Sequence, residues 1–530
     1  MGFSANATAI RELEVEVEDI ENVIRDLRDK QRSLRTQRNS NLPFFCLPPE
    51  ICIAIFSLAC HKGRLPKRRE RIPLVTTPFV ISGVCHGWRV MARSAPELWC
   101  SVSLCVRPYI EDGSQIQAEL LDQWLRLAKA WPLSIVMSFD PDDVSENDEA
   151  LENDEASEND EAFDSQSKEC LAALAAVTSV ATSRSHQWES LHLFLPFSWA
   201  KIFESGMGHC PNLKSLYLHI DTEGVDSFQR SEPPFSTTFR NAPKLRTVTI
   251  GHEINVGLPY HQLEELTLWD YAPPEDFLSE CTNLKIFRAH DGWLAPYSSR
   301  VTVHLLKLVS LEIITLTPQH VLGYLVTPSL VSITIPLKGS EEIEAFSAFL
   351  THSGVTLKHL SIIDYVPREE KLLWKIFDAL PNLSHLEIDE PFQLGLRFGS
   401  PGRWLPSGRF FNYFSTPNMT SGGLPLPYLT SIEYGGQLKF QTMTPGNADS
   451  GDSVGVYTLE KVFLARWNSG LPSDGGAVRL QAFSLLITDS RRSVTKMEQS
   501  LVVKELRKEG MRLVFKFVKP REHMKSDECR

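Results

Sequence analysis

At 530 residues the chain exceeds a single typical domain several-fold, so two or three folding units are expected. Its 42% hydrophobic and 23% charged residues are ordinary for a globular chain, and no stretch reaches the ~20 apolar residues of a membrane span. The net charge of −12 has one origin: Asp140–Asp164 holds 13 acidic residues and no basic one. The remainder carries 54 basic against 53 acidic residues, which implies no broad basic face for nucleic acid.

Met1–Ile10 has neither the basic start nor the apolar run of a secretory signal, so a cytoplasmic or nuclear protein is expected. Ten cysteines, six of them (Cys46, Cys52, Cys60, Cys85, Cys100, Cys105) amid apolar residues, read as reduced, buried thiols. None form a C-x-x-C pair, so the usual zinc signature is missing.

In chain order, Ile10, Leu13, Val17, Ile20, Ile24 and Leu27 fall on a strict a/d heptad that continues through Gln31 to Leu34. The spacing predicts a helix over 8–38. β-Branched residues at every apolar a position suit a two-stranded parallel coil, hence a homodimer. The alternative is a single amphipathic helix laying its stripe on the next module.

Pro43 and Pro48-Pro49 end that helix and open the next element. Glu50–Ala59 has helical apolar spacing. His61–Pro78 is basic and proline-bearing, hence a loop, and Phe79–Met91 reads as a second buried helix. Pro96-Glu97-Leu98-Trp99 breaks it, and Ser101–Val106 is a short strand. Gln117–Lys129 carries a stripe of Leu120, Leu121, Trp124, Leu125 and Ala128, and Pro132–Phe139 alternates like a strand. Helix and strand connect over 105–140.

Ser145–Ala162 is a tandem repeat, SENDEA, LENDEA, SENDEA. Such a segment has no apolar area to offset its ordering entropy, so 141–167 is expected to be disordered. It reads as an insert in a surface loop rather than a regulatory tether, because the flanking elements are complete without it.

From Trp188 onward the unit L-x-x-L-x-L recurs. Its copies begin at Trp188, Leu213, Leu245, Leu263, Leu284, Leu308, Leu330, Leu357, Leu383 and Leu429, and the eight from Leu213 to Leu383 are spaced 18 to 32 residues apart. Several follow a proline lead-in, as in Pro211-Asn212-Leu213 and Pro381-Asn382-Leu383. This pattern predicts an irregular leucine-rich solenoid over 168–518, each short strand burying its leucines against its neighbours in a parallel sheet on the concave face. The customary Asn or Cys after each strand is replaced by Asp221, Glu253 and Tyr271. Thr444–Gly455 reads as a loop. Leu480–Ile487, a helix over Val494–Lys508, Gly510 as its C-cap and a strand over Met511–Val518 read as a terminal cap before a charged tail, 519–530.

Three motifs stand ahead of the repeats: Leu47-Pro48-Pro49-Glu50-Ile51, Val84-Cys85-His86-Gly87-Trp88-Arg89 and Ala95-Pro96-Glu97-Leu98-Trp99. In this order, over 42–104, they resemble the F-box, the three-helix module that docks on the Skp-type adaptor of cullin–RING ubiquitin ligases. The N-terminal heptad helix, the basic insert and Trp131-Pro132-Leu133-Ser134 are similar to F-box proteins expanded in fungi. Apolar Phe44-Phe45-Cys46 stands where the family is more polar. The resemblance implies adaptor contacts from Leu47, Pro48, Glu50, Ile51, Ile55, Phe56, Val84, Cys85, Trp88 and Trp99. It implies a substrate receptor that performs no bond chemistry and needs no cofactor, with a protein target held on the repeats. A helical cap using the same apolar residues internally is the alternative.

Reading each repeat in one phase places Tyr217, His219, Trp269, Arg288, His290, Glu312, His359, Glu387, Asp389 and Glu433 on the recognition face, led by the aromatic and arginine side chains that usually anchor interfaces. No Walker, nucleophile-elbow, zincin or dinucleotide motif occurs. The histidines beside the predicted strands sit at different positions of the repeat, which argues against a shared metal. Asn418-Met419-Thr420 is an idle glycosylation sequon. The rival readings are a leucine-rich scaffold without ligase recruitment and a module dimerised through its first helix.

Overall fold

The structure, a computed structural model, describes residues 2–60, 77–106, 113–139, 175–221, 235–251, 256–269, 277–290, 302–315, 317–365, 370–389, 408–417, 423–436, 456–469, 477–487 and 491–517. The acidic repeats, most of the basic insert, the Thr444–Gly455 loop, the sequon, Glu253, Tyr271 and the charged tail lie outside the described residues. The chain is a mixed helix and strand protein with a large parallel sheet, an α/β arrangement. It divides into two compact units, the second being Glu189–Arg530.

The first unit opens with α1 (Gly2–Ser40), longer than the expected 8–38. A 3₁₀ turn, Pro43–Cys46, leads into α2 (Pro49–Ala59), with a proline at its first position where the missing N–H costs nothing. Next come α3 (Thr77–Val84) and α4 (His86–Ser94), where the sequence predicted a single helix. The break has a local cause. Cys85 is extended, φ −159° and ψ 171°, and its Sγ accepts the Trp88 N–H at 3.4 Å, which makes it the N-cap of a new helix. Gly87 permits the close approach of Phe45, whose Cε1 would lie 2.6 Å from a Cβ at that position. β1 (Ser101–Val106) and β2 (Leu133–Phe139) are parallel and joined through α5 (Gly113–Ala128), Val102 pairing with Ile135.

The second unit is a ladder. β3 (Trp188–Pro196), β4 (Ser215–Asp221), β5 (Thr247–Gly251), β6 (Glu265–Trp269) and β7 (Ile286–His290) pair in sequence order, all parallel. β8 (Val303–His304) and β10 (Leu325–Val326) form a separate short pair. The main sheet continues through β9 (Ser310–Ile314), β11 (Ser332–Pro336), β12 (His359–Ile363), β13 (His385–Asp389), β14 (Ser431–Gly436), β15 (Ala482–Ile487) and β16 (Arg512–Phe517).

All ten repeat copies fall in one register: Leu191, Leu216, Val248, Leu266, Phe287, Leu311, Ile333, Leu360, Leu386 and Ile432 are successive partners, followed by Phe483 and Leu513. Every one of them is buried. Each such side chain contributes about 1.5–3 kcal/mol relative to exposure, and a one-residue slip would turn the whole row to the other face.

The lead-in has its own physical cause. The leucine that opens a repeat donates its N–H to the carbonyl three residues back, as in Leu213 to Cys210, Leu245 to Ala242, Leu284 to Cys281, Leu330 to Thr327 and Leu383 to Leu380. This turn stops the preceding segment and aims the next strand. The following residue then joins the neighbouring repeat, as Lys214 N–H to the Glu189 carbonyl and Lys285 N–H to the Glu264 carbonyl, both 2.8 Å.

Helices return the chain between strands, among them Ser340–Ser353, Glu370–Asp378 and Val456–Asn468. None of the three was placed from sequence. The terminal helix expected over Val494–Lys508 is two, Arg491–Gln499 and Leu501–Lys508, because Ser500 caps the second by accepting the Val503 N–H. Gly510, at φ 104°, follows the actual C-cap Glu509, and the Met511 N–H reaches the Leu506 carbonyl at 2.9 Å. That bond and the Gly510 N–H to the Arg507 carbonyl form a Schellman closure.

Candidate interaction surfaces

The helical module is built on an aromatic cluster. The 3₁₀ turn delivers Phe44, whose ring centroid lies 4.8 Å from that of Trp88 and 5.8 Å from that of Phe56; Phe56 and Trp88 are 4.9 Å apart. The lead-in Phe44-Phe45 thus fills the space between α2 and α4. A second cluster closes the module. Phe79, Trp99 and Trp124 meet pairwise edge to face at 5.1–5.3 Å. The Trp99 indole N–H donates to the Ala92 carbonyl at 2.7 Å, and the Trp124 N–H to the Trp99 carbonyl at 2.6 Å.

These clusters divide the ten expected adaptor contacts. Phe56 and Trp99 are each 1% exposed, so they are core residues and not contacts. Trp88 is half-buried in the first cluster, and Cys85 is half-buried with its sulfur engaged as a cap. Leu47, Pro48, Glu50, Ile51, Ile55 and Val84 are exposed. Ile51 at 49% and Val84 at 58% belong to two apolar stripes on packed helices: Ile51, Ile55 and Leu58 on α2, Val80 and Val84 on α3. Five exposed aliphatic side chains on so small a module are what a docking face needs. Sequence reasoning missed Leu58 and Val80, although helical spacing from Ile51 and Val84 could have found them. Cys46, expected to be buried, is exposed, whereas Cys52 and Cys105 are buried.

On the second unit, the side chains between the buried rows project from the other face of the sheet. The N-terminal strands carry aromatic groups. Tyr217 stacks on His192 at 5.8 Å and meets Phe194 at 4.9 Å, and the His219 ring occupies the space that a Cβ at Gly251 would need. Trp269 stacks on His290 at 4.0 Å. His290 is buried beneath it, so it supports the tryptophan instead of facing a target, which corrects its sequence assignment. Arg288 is ion-paired to Glu265 at 2.5 Å and to Glu312 at 3.3 Å, and His290 Nε2 lies 3.5 Å from Glu312. Burial holds the His290 pKa below its usual value, Glu312 opposing and Arg288 adding to the effect.

The C-terminal strands differ. His359 and His385 are cross-strand partners, stacked at 4.3 Å, so these two histidines do share a repeat position, contrary to the sequence reading. Burial and then the neighbouring His385 lower the His359 pKa. Glu387 and Glu433 are also cross-strand partners, and burial followed by Glu387 raises the Glu433 pKa, with Lys516 opposing. Asp389 is exposed at the end of β13, its Oδ1 within 2.5 Å of where a Gly435 Cβ would stand. The face therefore passes from aromatic through ion-paired to acidic. Among the described residues no three His, Cys, Asp or Glu side chains converge as metal ligands, and no helix is long and apolar enough to cross a membrane.

His192 sits at the aromatic edge, 6% exposed, with Nε2 hydrogen-bonded to Ser190 Oγ at 2.8 Å. Burial lowers its pKa from 6.5 to about 4. The unfolded chain therefore binds this proton more tightly than the folded one. Its neutral form is stably accommodated above pH 6.5, and stability is lost as pH falls toward 4. Denaturation across that window is expected to show the loss, and His192→Phe to reduce it; a pH dependence unchanged in His192→Phe would assign the effect elsewhere.

No protein-family model and no curated protein matches this chain.

Proposed function

We propose that this chain is an F-box-type substrate receptor of a cullin–RING ubiquitin ligase. Leu47, Ile51, Ile55 and Val84 dock on a Skp-type adaptor, and an irregular leucine-rich solenoid holds a protein target on its concave sheet face. The observation that carries this reading is the separation, within motifs resembling the F-box, of buried aromatic residues from exposed aliphatic ones. A helical cap using these residues internally would bury Ile51, Ile55 and Val84. They are solvent-exposed in the structure.

The receptor breaks no bond itself. By holding target and ligase on one chain it raises the target's effective concentration near the ubiquitin-charged enzyme. Tyr217 and Trp269, half-buried and stacked, are the anchors on the target face. Glu387, Asp389 and Glu433 add an acidic end that favours a target with a complementary basic segment.

The test is co-purification of the full chain with a Skp-type adaptor and its cullin. The parent is expected to retain both, and Ile51→Asp/Ile55→Asp neither, with unchanged thermal stability because both positions are exposed. Retention of the adaptor without the cullin would leave a scaffold and overturn the ligase reading.

A further inference from the structure

Residues Leu13 to Arg38 of α1 are all exposed. Along them Leu13, Val17, Ile20, Ile24, Leu27 and Leu34 form one apolar stripe, with Leu13 and Leu27 about three-fifths exposed. The stripe does not lie against the following module, which disposes of the single-helix alternative read from sequence. An exposed a/d stripe of this length on a 39-residue helix is a seam without its second strand.

We propose that this seam pairs with α1 of a second copy of the chain, and that the two helices run antiparallel. Charge selects the occupant and its direction. The residues flanking the stripe are acidic in the first half, Glu14, Glu16 and Glu21, and basic in the second, Arg28, Lys30 and Arg35. In a parallel, in-register pair the flanking contacts join positions five apart. Glu16 would face Glu21 of the other helix, and Lys30 would face Arg35, so both contacts repel.

Turning one helix round reverses this. The seam is symmetric about position 22: Leu13 meets Gln31 of the second copy, Val17 meets Leu27, and Ile20 meets Ile24. Glu14 then faces Arg28, Glu16 faces Lys30, and Val23 meets its own counterpart and widens the apolar core; Glu21 also meets its own counterpart, the single like-charge contact of this register against four in the parallel pair. Arg28 also lies between Glu14 and Glu21 of the other helix. Each contact between different positions occurs twice by symmetry, and each self-contact once. In this register the β-branched a positions Val17 and Ile24 meet apolar Leu27 and Ile20, so the seam stays apolar there in either direction and the flanking charges decide between them.

The consequence for function rests on the receptor reading above; the pairing itself does not. α1 is about 58 Å long at the rise of an α-helix. An antiparallel pair places the two following modules at opposite ends of the coil, where each docks its own adaptor, and the assembly engages a repetitive target bivalently.

Sedimentation equilibrium of the full chain over a micromolar concentration range tests the proposal. The parent is expected to show a monomer–dimer equilibrium, lost in Val17→Asp/Ile24→Asp. The double variant Glu14→Lys/Glu21→Lys separates the two directions. It sets like charges against Arg28 in the antiparallel pair and is expected to weaken the dimer roughly ten-fold. In a parallel pair it would replace the Glu16–Glu21 repulsion by attraction and tighten the dimer. A monomeric parent, a dimer that survives Val17→Asp/Ile24→Asp, or a dimer tightened by Glu14→Lys/Glu21→Lys would each overturn the proposal. All substituted positions are exposed on one helix, so the helical signal of each variant should match the parent.

Discussion

Replacing Arg466 by methionine is expected to destabilise the second unit by about 3–5 kcal/mol. Arg466 projects from helix Val456–Asn468 and is completely buried, without a carboxylate partner among its hydrogen bonds. Its guanidinium donates to three backbone carbonyls instead: Nε to Phe414 at 2.8 Å, Nη1 to Leu426 at 3.0 Å, and Nη2 to Pro425. Leu426 is in the left-handed region, φ 51°, which a branched side chain adopts at a cost of about 1–2 kcal/mol. The arginine holds that turn, and the turn aims β14 through the Leu429 N–H to the Leu426 carbonyl at 3.1 Å. Methionine fills much of the volume but leaves three acceptors orphaned. Lysine restores a single point donor, so Arg466→Lys should lie between the parent and Arg466→Met. Burial lowers the arginine pKa to about 10, which leaves it protonated at neutral pH, so the loss should not depend on pH there. Chemical denaturation reads the change, and a loss below about 1 kcal/mol would mean that the carbonyls find other donors.

Trp99→Ala is expected to cost the first unit about 3–5 kcal/mol. Three effects add. The ring is buried at the meeting point of Phe79 and Trp124, so truncation opens a cavity that the two edge-to-face partners cannot close. The Ala92 carbonyl at the end of α4 loses its indole donor. The Trp124 indole N–H, which donates to the Trp99 carbonyl, loses the packing that holds that carbonyl in place. Trp99→Phe keeps most of the packing and loses the indole donor, so its cost should be markedly smaller. Tryptophan fluorescence during urea unfolding separates the two variants. Equal stability of Trp99→Ala and parent would contradict the assignment of Trp99 to the core.

The repeats were legible because alternation allows one answer. Leucines two residues apart can face a common core in only one register, and the recurring proline lead-in marks a turn that is hydrogen-bonded the same way each time. The helix breaks were not legible. At Cys85 and Ser500 one side-chain acceptor decides whether a run of apolar spacing is one helix or two, and periodicity carries no trace of it. Nor did the apolar motifs distinguish inside from outside. Ile55 and Phe56 are adjacent in sequence and equally apolar, yet one is exposed and the other is core, because Phe44 and Trp88 cover only one side of α2. Arg466 was invisible for a different reason: its partners lie 40 to 52 residues away and are backbone atoms, which leave no mark on residue type.

The receptor reading stands on the exposed aliphatic side chains of α2 and α3 acting as an adaptor-docking face. Calorimetric titration of a purified Skp-type adaptor into the full chain tests it most directly, with Ile51→Asp, Ile55→Asp and Trp99→Phe alongside the parent. Saturable one-to-one binding by the parent and by Trp99→Phe is expected, with at least a hundred-fold loss in each aspartate variant, about 2.7 kcal/mol. A folded parent that produces no binding heat and no co-migration with the adaptor would contradict the receptor account.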